Sequence, residues 1–128
     1  MNKNIRTSNS AEVELKNGFL HVQFTDMSNV DLEEAKIIAN NIIDLCDGTP
    51  YPFITNGLGI TIRMDNAARD LFASYPPLIE VRKAQALLVN NMPSKLLANF
   101  FIKYHKPLNP TKIFTNYDEA VEWLEELD

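Results

Sequence analysis

The stretch from Lys83 to His105 constrains the fold more than any other part of the chain. Lys83-Ala84-Gln85-Ala86-Leu87-Leu88-Val89-Asn90 is a short, nearly continuous apolar run. It is too short for a helix and suits a strand covered on both faces. Past Asn91-Met92-Pro93 the period changes. Leu96, Leu97, Phe100, Phe101 and Tyr104 recur at i, i+1, i+4, i+5 and i+8, one stripe of an amphipathic helix. Pro93 suits a first helical turn, where its missing N–H costs nothing, and Pro107 stops whatever follows His105. A covered strand feeding a helix that folds back over it is half of a βαβ unit, so this stretch predicts an α/β domain.

The flanking segments fit that frame. Residues 12–16 and 19–24 alternate at period two around Asn17-Gly18, a pair that favours the positive φ of a tight hairpin turn. Val13, Leu15, Leu20, Val22 and Phe24 then face the core, and Phe19, His21 and Gln23 face away. Ser28-Asn29-Val30-Asp31 has capping-box spacing, with Glu33 and Glu34 in the positive first turn of a helix. Leu32, Ala35, Ala39, Ile42, Ile43 and Cys46 mark its buried stripe. Asp47-Gly48 ends it, with Gly48 free to turn left-handed and Pro50 blocking continuation.

Residues 52–55 read as a strand and 56–59 as a loop, while 60–62 either extend the strand past a bulge or belong to the loop. Asp65 is an N-cap for a short helix with Met64, Ala68, Leu71, Phe72 and Tyr75 as its stripe, broken at Pro76-Pro77. Leu78, Ile79 and Val81 form a helical turn before the central strand. Residues 112–115 are the last strand. Thr115-Asn116-Tyr117-Asp118 caps a final helix that turns Tyr117, Ala120, Val121, Leu124 and Leu127 inward. The order is ββαβαβαβα: a mixed five-stranded sheet opening with a β-hairpin and continued by right-handed crossovers. Residues 1–10 read as a disordered polar tail and 11–128 as a single α/β domain.

Charge and cysteine content narrow the partners. A net charge of −5 disfavours nucleic acid and anionic membranes, either of which needs a basic face. Arg82-Lys83, and Lys103 with Lys106, read as solvated edges. Cys46 is the single cysteine, which excludes an internal disulfide and fits a reducing compartment. No apolar run approaches the roughly 20 residues of a membrane span, and Met1 to Ser10 lacks the apolar centre of a signal peptide. The expected location is the cytoplasm.

The hairpin, the helix and the βα units ending in Ile113-Phe114-Thr115, Glu119-Ala120 and Trp123-Leu124 resemble the STAS superfamily, the domain of bacterial anti-sigma-factor antagonists. Leu96-Leu97-Ala98-Asn99-Phe100-Phe101, with Lys106-Pro107 and Pro110, resembles a bacterial branch of the same fold. The likeness runs from about Glu12 to Leu127. In that family an Asp-Ser-Ser-Gly run opens the helix after the third strand, and phosphorylation of one serine switches partner binding. Met64-Asp65-Asn66-Ala67-Ala68 is the matching stretch by topology. Asp65 agrees with the family, but Asn66 and Ala67 stand where the serines belong. The resemblance therefore implies a regulatory domain that binds a protein partner, without the usual phospho-switch.

The expected binding rim lies at the carboxyl ends of the strands, beside the helix N-termini. Asp65, Asn66, Arg69, Asn90, Asn91 and Ser94 fall there. Their amides and hydroxyl suit an anion or a peptide backbone, and equally suit ordinary turn and cap chemistry. Ser94, near a helix start, is the candidate phosphate acceptor in place of the missing serines.

No catalytic constellation is legible, so the chain reads as non-enzymatic and without a cofactor. His21 and His105 have no metal-ligand spacing, Cys46 lies on an apolar stripe, and Asn56-Gly57-Leu58-Gly59 is too short for a dinucleotide loop. The acidic end (Glu119, Glu122, Glu125, Glu126, Asp128) reads as a solvated face. Phe100, Phe101, Ile102 and Tyr104 exceed what one helix face buries. Trp123 sits beside the last stripe. This surplus points to a thick core, a homodimer contact, or a pocket for an apolar ligand. The last of these supports an alternative, a small-molecule or lipid-binding module of the same fold.

Overall fold

The computed structural model describes residues 4–127. Its strands are β1 (Ile5–Thr7), β2 (Ala11–Lys16), β3 (Phe19–Phe24), β4 (Asn29–Val30), β5 (Tyr51–Asn56), β6 (Arg63–Met64), β7 (Arg82–Leu88) and β8 (Thr111–Phe114). Its helices are α1 (Leu32–Cys46), α2 (Asn66–Ser74), α3 (Pro76–Val81), α4 (Met92–Phe100) and α5 (Tyr117–Glu126), with a π-turn over Phe101–His105 continuing α4. A six-stranded sheet runs β1-β2-β3-β5-β7-β8, and β4 pairs with β6 in a separate two-stranded ladder. The first three strands are antiparallel, and β3, β5, β7 and β8 are mutually parallel. The mixed α/β sheet and opening hairpin agree with the sequence; the strand count is higher by one in the main sheet.

The extra strand comes from the segment read as a polar tail. Ile5–Thr7 pairs antiparallel with residues 12–14 of β2, and Arg6 holds the Asp44 carboxylate of α1 at 3.1 Å. Ser10 is buried. Met1 to Lys3, the rest of the expected tail, lie outside the described residues. Asn17 (φ 56°) and Gly18 (φ 81°) both take positive φ, as the hairpin requires.

Helix α1 forms where expected, but its cap is Asp31, whose side chain accepts from the Glu34 N–H at 2.9 Å. Ser28 is displaced from that role because β4 draws Asn29 and Val30 into parallel pairing with Arg63 and Met64. The buried side of α1 includes Ile38 and Glu34, while Leu32 and Ile43 are only partly covered. Residues 60–62 extend no strand. They form an irregular loop tied by Met27 N–H to Thr61 O (2.8 Å) and by Thr61 N–H to Asp26 (2.9 Å). Helix α5 is capped by Asn116 rather than Thr115, and buries Ala120 and Leu124 while Tyr117 and Leu127 are exposed.

Helix α4 is rotated from the expected stripe. Ser94, Ala98 and Phe101 are buried and Leu97 is partly covered, whereas Leu96, Phe100 and Tyr104 are exposed. Small residues on the inner side let the helix approach the sheet, and the larger ones are left outside. The π-turn then holds one residue more per turn than an α-helix, bringing both Phe101 and His105 inward, with their rings stacked at 6.2 Å.

Helices cover both faces of the sheet. Ile54, Ala84, Ala86 and Leu88 pack under α5 against Ala120 and Leu124. Val13, Leu20, Val22 and Phe53 face α1 on the other side, where Ala68 of α2 and Leu78 of α3 join the cluster.

Candidate functional site

On the α1 side, the space between the sheet and helices α1 to α4 is not filled. An apolar cavity of about 120 Å³ remains, floored by Phe53, Thr55, Gln85 and Leu87 and walled by Ile38, Ile42, Phe72, Leu97, Ala98 and Phe101. Leu87 shows how it arises. It lies on an inner strand of the sheet yet is only partly covered, while Ala86 and Leu88 on the opposite face are fully buried. The small inward residues of α4, Ser94 and Ala98, do not fill the space above the floor.

Among the described residues, two guanidinium groups line this cavity and no carboxylate does. Arg82 is 3% exposed, a correction to its reading as a solvated edge: α3 ends at Val81 and turns it inward, leaving Lys83 outside. Its Nε donates to Asn109 Oδ1 at 2.8 Å and its Nη2 to the Phe72 carbonyl at 2.7 Å, and the group lies 5.9 Å from the Phe53 ring centre. Among the described residues no carboxylate pairs with it and no acceptor meets Nη1. Burial pulls its pKa down to about 10, which still leaves it charged at neutral pH. A buried charge satisfied only by neutral dipoles is costly, and the cost is relieved by any anion that reaches it.

Arg69 is differently placed. Its guanidinium donates to the Met64 carbonyl, to Asn66 Oδ1 and, from Nε at 3.1 Å, to Nε2 of His105, and it lies 5.1 Å from the Phe100 ring centre. His105 Nδ1 in turn donates to Asp70 at 2.7 Å. Accepting at Nε2 and donating at Nδ1 assigns the Nδ1–H tautomer. This chain of contacts ties α2 to the π-turn.

The expected rim residues separate into holders and liners. Asp65 caps α2 by accepting from Ala68 N–H at 3.0 Å. Asn90 accepts from Gly59 N–H at 2.8 Å. Asn91 caps α4 through Ser94 N–H at 2.9 Å and donates to the Ile60 carbonyl at 2.8 Å. Ser94 is 8% exposed, and its hydroxyl donates to the same Ile60 carbonyl at 3.0 Å. The loop these residues pin begins at Gly57, where a Cβ would stand 3.0 Å from the Leu88 carbonyl, so only glycine fits without a shift. Of the six, Arg69 and Ser94 line the cavity.

Sequence reasoning missed Arg82, Gln85, Asp70 and His105 as members of this site. The usable signal was Gln85, a polar residue within the apolar run; it is buried and donates to Thr111 Oγ1 at 3.1 Å.

The remaining titratable features are structural. Burial pushes the Glu34 carboxyl up, but hydrogen bonds from Ser10 and Ser8 outweigh it and hold the group below its ordinary value. Burial raises the Cys46 thiol to about 11, leaving it a poor nucleophile at neutral pH. Burial lowers His21, whose ring stacks on Tyr117. Among the described residues no helix is long and apolar enough to cross a membrane.

Comparison with known proteins agrees with this architecture. A family model described as a domain of unknown function, DUF7793, matches residues 13–128. No curated protein matches the sequence. Among solved structures, an uncharacterized protein of the DUF3478 family with a SpoIIAA-like fold, from Shewanella loihica, superposes with a TM-score of 0.61 at 14% identity. The match covers 93% of this chain and 98% of that one, so the two share the STAS fold.

Proposed function

The chain belongs to the DUF7793 family, and for this member we propose a non-enzymatic regulatory domain that works by binding a protein partner. The observation that carries the reading is the outer face of α4. Met92, Leu96, Phe100 and Tyr104 follow one another at four-residue spacing and are 67%, 61%, 42% and 60% exposed. A ridge of large apolar side chains left in water is the usual mark of a helix that meets another protein. It adjoins the expected rim at two points: Met92 follows Asn91, and the Arg69 guanidinium lies over Phe100.

Binding on this face requires no phosphate. Asn66 and Ala67 offer no hydroxyl at the family's switch position. A phosphate on Ser94 would first have to break its bond to Ile60 and lift the pinned loop. The experiment is native mass spectrometry of the protein from its source cells beside Leu96→Glu. A partner chain, or a second copy as a homodimer, is expected on the wild type and is lost from the variant. A complex that persists in Leu96→Glu, or a wild type found only as the bare monomer, contradicts the reading.

The cavity favours a second reading, a small-molecule-binding module of the same fold. Its walls are apolar, and it stands beneath the same helix α4.

A further inference from the structure

We propose that the cavity takes a small apolar monoanion, a carboxylate on a short hydrocarbon body, with its head group on Arg82; this rests on the second reading above. Three observations converge. Among the described residues, the cavity is lined mainly by apolar side chains, with two guanidinium groups and no acid. Arg82 is 3% exposed and carries an unshared positive charge, its Nε and Nη2 bound to neutral oxygens and its Nη1 without a protein acceptor among the described residues. Arg69 also lines the cavity, but all its nitrogens are engaged with Met64, Asn66 and His105. The head group therefore belongs at Arg82.

The ligand's chemistry follows from what is left open. A carboxylate is planar, carries one negative charge and accepts from guanidinium N–H groups side by side. A phosphate dianion would bring a second charge, while each Arg69 nitrogen is already held by Met64, Asn66 or His105. A neutral molecule would leave the buried cation as it is. A cavity of about 120 Å³ is close to the roughly 150 Å³ that holds benzene, so the hydrocarbon body within it is about six carbons. The body would lie over Leu87 and against Leu97, Ala98 and Phe101.

The experiment titrates the full chain with hexanoate and with 1-hexanol, following backbone amide NMR shifts. Hexanoate is expected to shift residues around Leu87, Leu97 and Ala98, and to bind wild type roughly tenfold or more tightly than hexanol. In Arg82→Met, whose retained fold is checked in the same spectra, that preference is expected to vanish. Equal binding of both probes to wild type, or a preference unchanged in Arg82→Met, overturns the monoanion inference while leaving an apolar pocket. If neither probe perturbs the cavity residues, the pocket reading falls with it. Should Arg82→Met not fold, Arg82→Gln and the wild-type pair of probes decide the matter alone.

Discussion

On the α5 side of the sheet, Ala84, Ala86 and Leu88 of β7 meet Ala120 and Leu124, and each is 3% exposed or less. On the other side the same strand offers Gln85 and Leu87 to a cavity. One strand thus has a solid face and a hollow face, set by alternate residues. The solid face uses small side chains, so that one helix sits close over Ala86 and Leu88, and a pocket of about 280 Å³ lies at its margin between Ala84, Leu124, Leu127, Lys83, Pro52 and Pro110. The hollow face is roofed by several helices, and the roof nearest the void, α4, turns its small residues inward and its large ones outward. Close packing serves stability alone. A void under a helix with an exposed apolar ridge does little for stability, and it is the space that the proposed ligand would take.

The contrast can be broken most directly by truncation. Leu88→Ala on the solid face is expected to cost about 2–5 kcal/mol, read from the denaturation midpoint. Leu87→Ala, one residue away, should cost less than half as much, because its side chain already borders empty space. Equal losses would mean that the cavity closes in solution.

Enlarging side chains sharpens the comparison in the other direction. Ala120→Leu overfills a packed contact and should cost about 1–3 kcal/mol. Ala98→Leu projects into the void, and is expected to be neutral or stabilising by about 0.5–2 kcal/mol. It should also abolish the hexanoate-induced shifts. A destabilisation matching Ala120→Leu would place Ala98 against a solid wall.

The smallest effect concerns how the hollow side is anchored. Helix α1 is tied to the start of the chain by Glu34, which accepts from Ser10 N–H, Ser10 Oγ and Ser8 Oγ at 2.8, 2.5 and 2.6 Å. Because the folded-state pKa of Glu34 is depressed, its contribution is complete above its unfolded value near 4.5 and is lost as pH falls through the folded value. Urea denaturation should therefore show Glu34→Gln less stable than wild type at neutral pH, with the gap narrowing below about pH 4.5. A gap constant with pH would mean that the carboxylate's charge plays no part.

The sequence made the solid parts legible and the hollow ones obscure, for a physical reason. The hairpin, α1 and β7 announce themselves because burial imposes a period on apolar residues, and Asp65 because a helix start needs an acceptor. Strand β1 imposes no such period. Ile5 is the one apolar residue of Ile5-Arg6-Thr7, and its pairing is backbone chemistry that any side chain allows. The face of α4 was misread because the largest residues were assigned to the core, whereas Ser94 and Ala98 occupy it. The polar rim was recognisable as cap and loop chemistry. Arg82 was not, since a buried cation beside an exposed lysine looks like any surface pair until the fold separates them.

The π-turn carries a consequence for how chains of this kind can change length. Phe101 to His105 accommodates one residue that a regular α-helix would have no room for. Removing Lys103 would let the turn close to α-geometry with nearly the same total rotation, whereas the same deletion inside a regular α-helix swings every later side chain by about 100° around the axis. His105, which meets Arg69 and Asp70, and Leu108 and Asn109, which bond the Ala73 carbonyl and Arg82, would then keep their facing. Loss of one residue in related chains is therefore expected at this turn as well as at surface turns such as Asp47-Gly48, with the facing of His105 and Asn109 inherited whole.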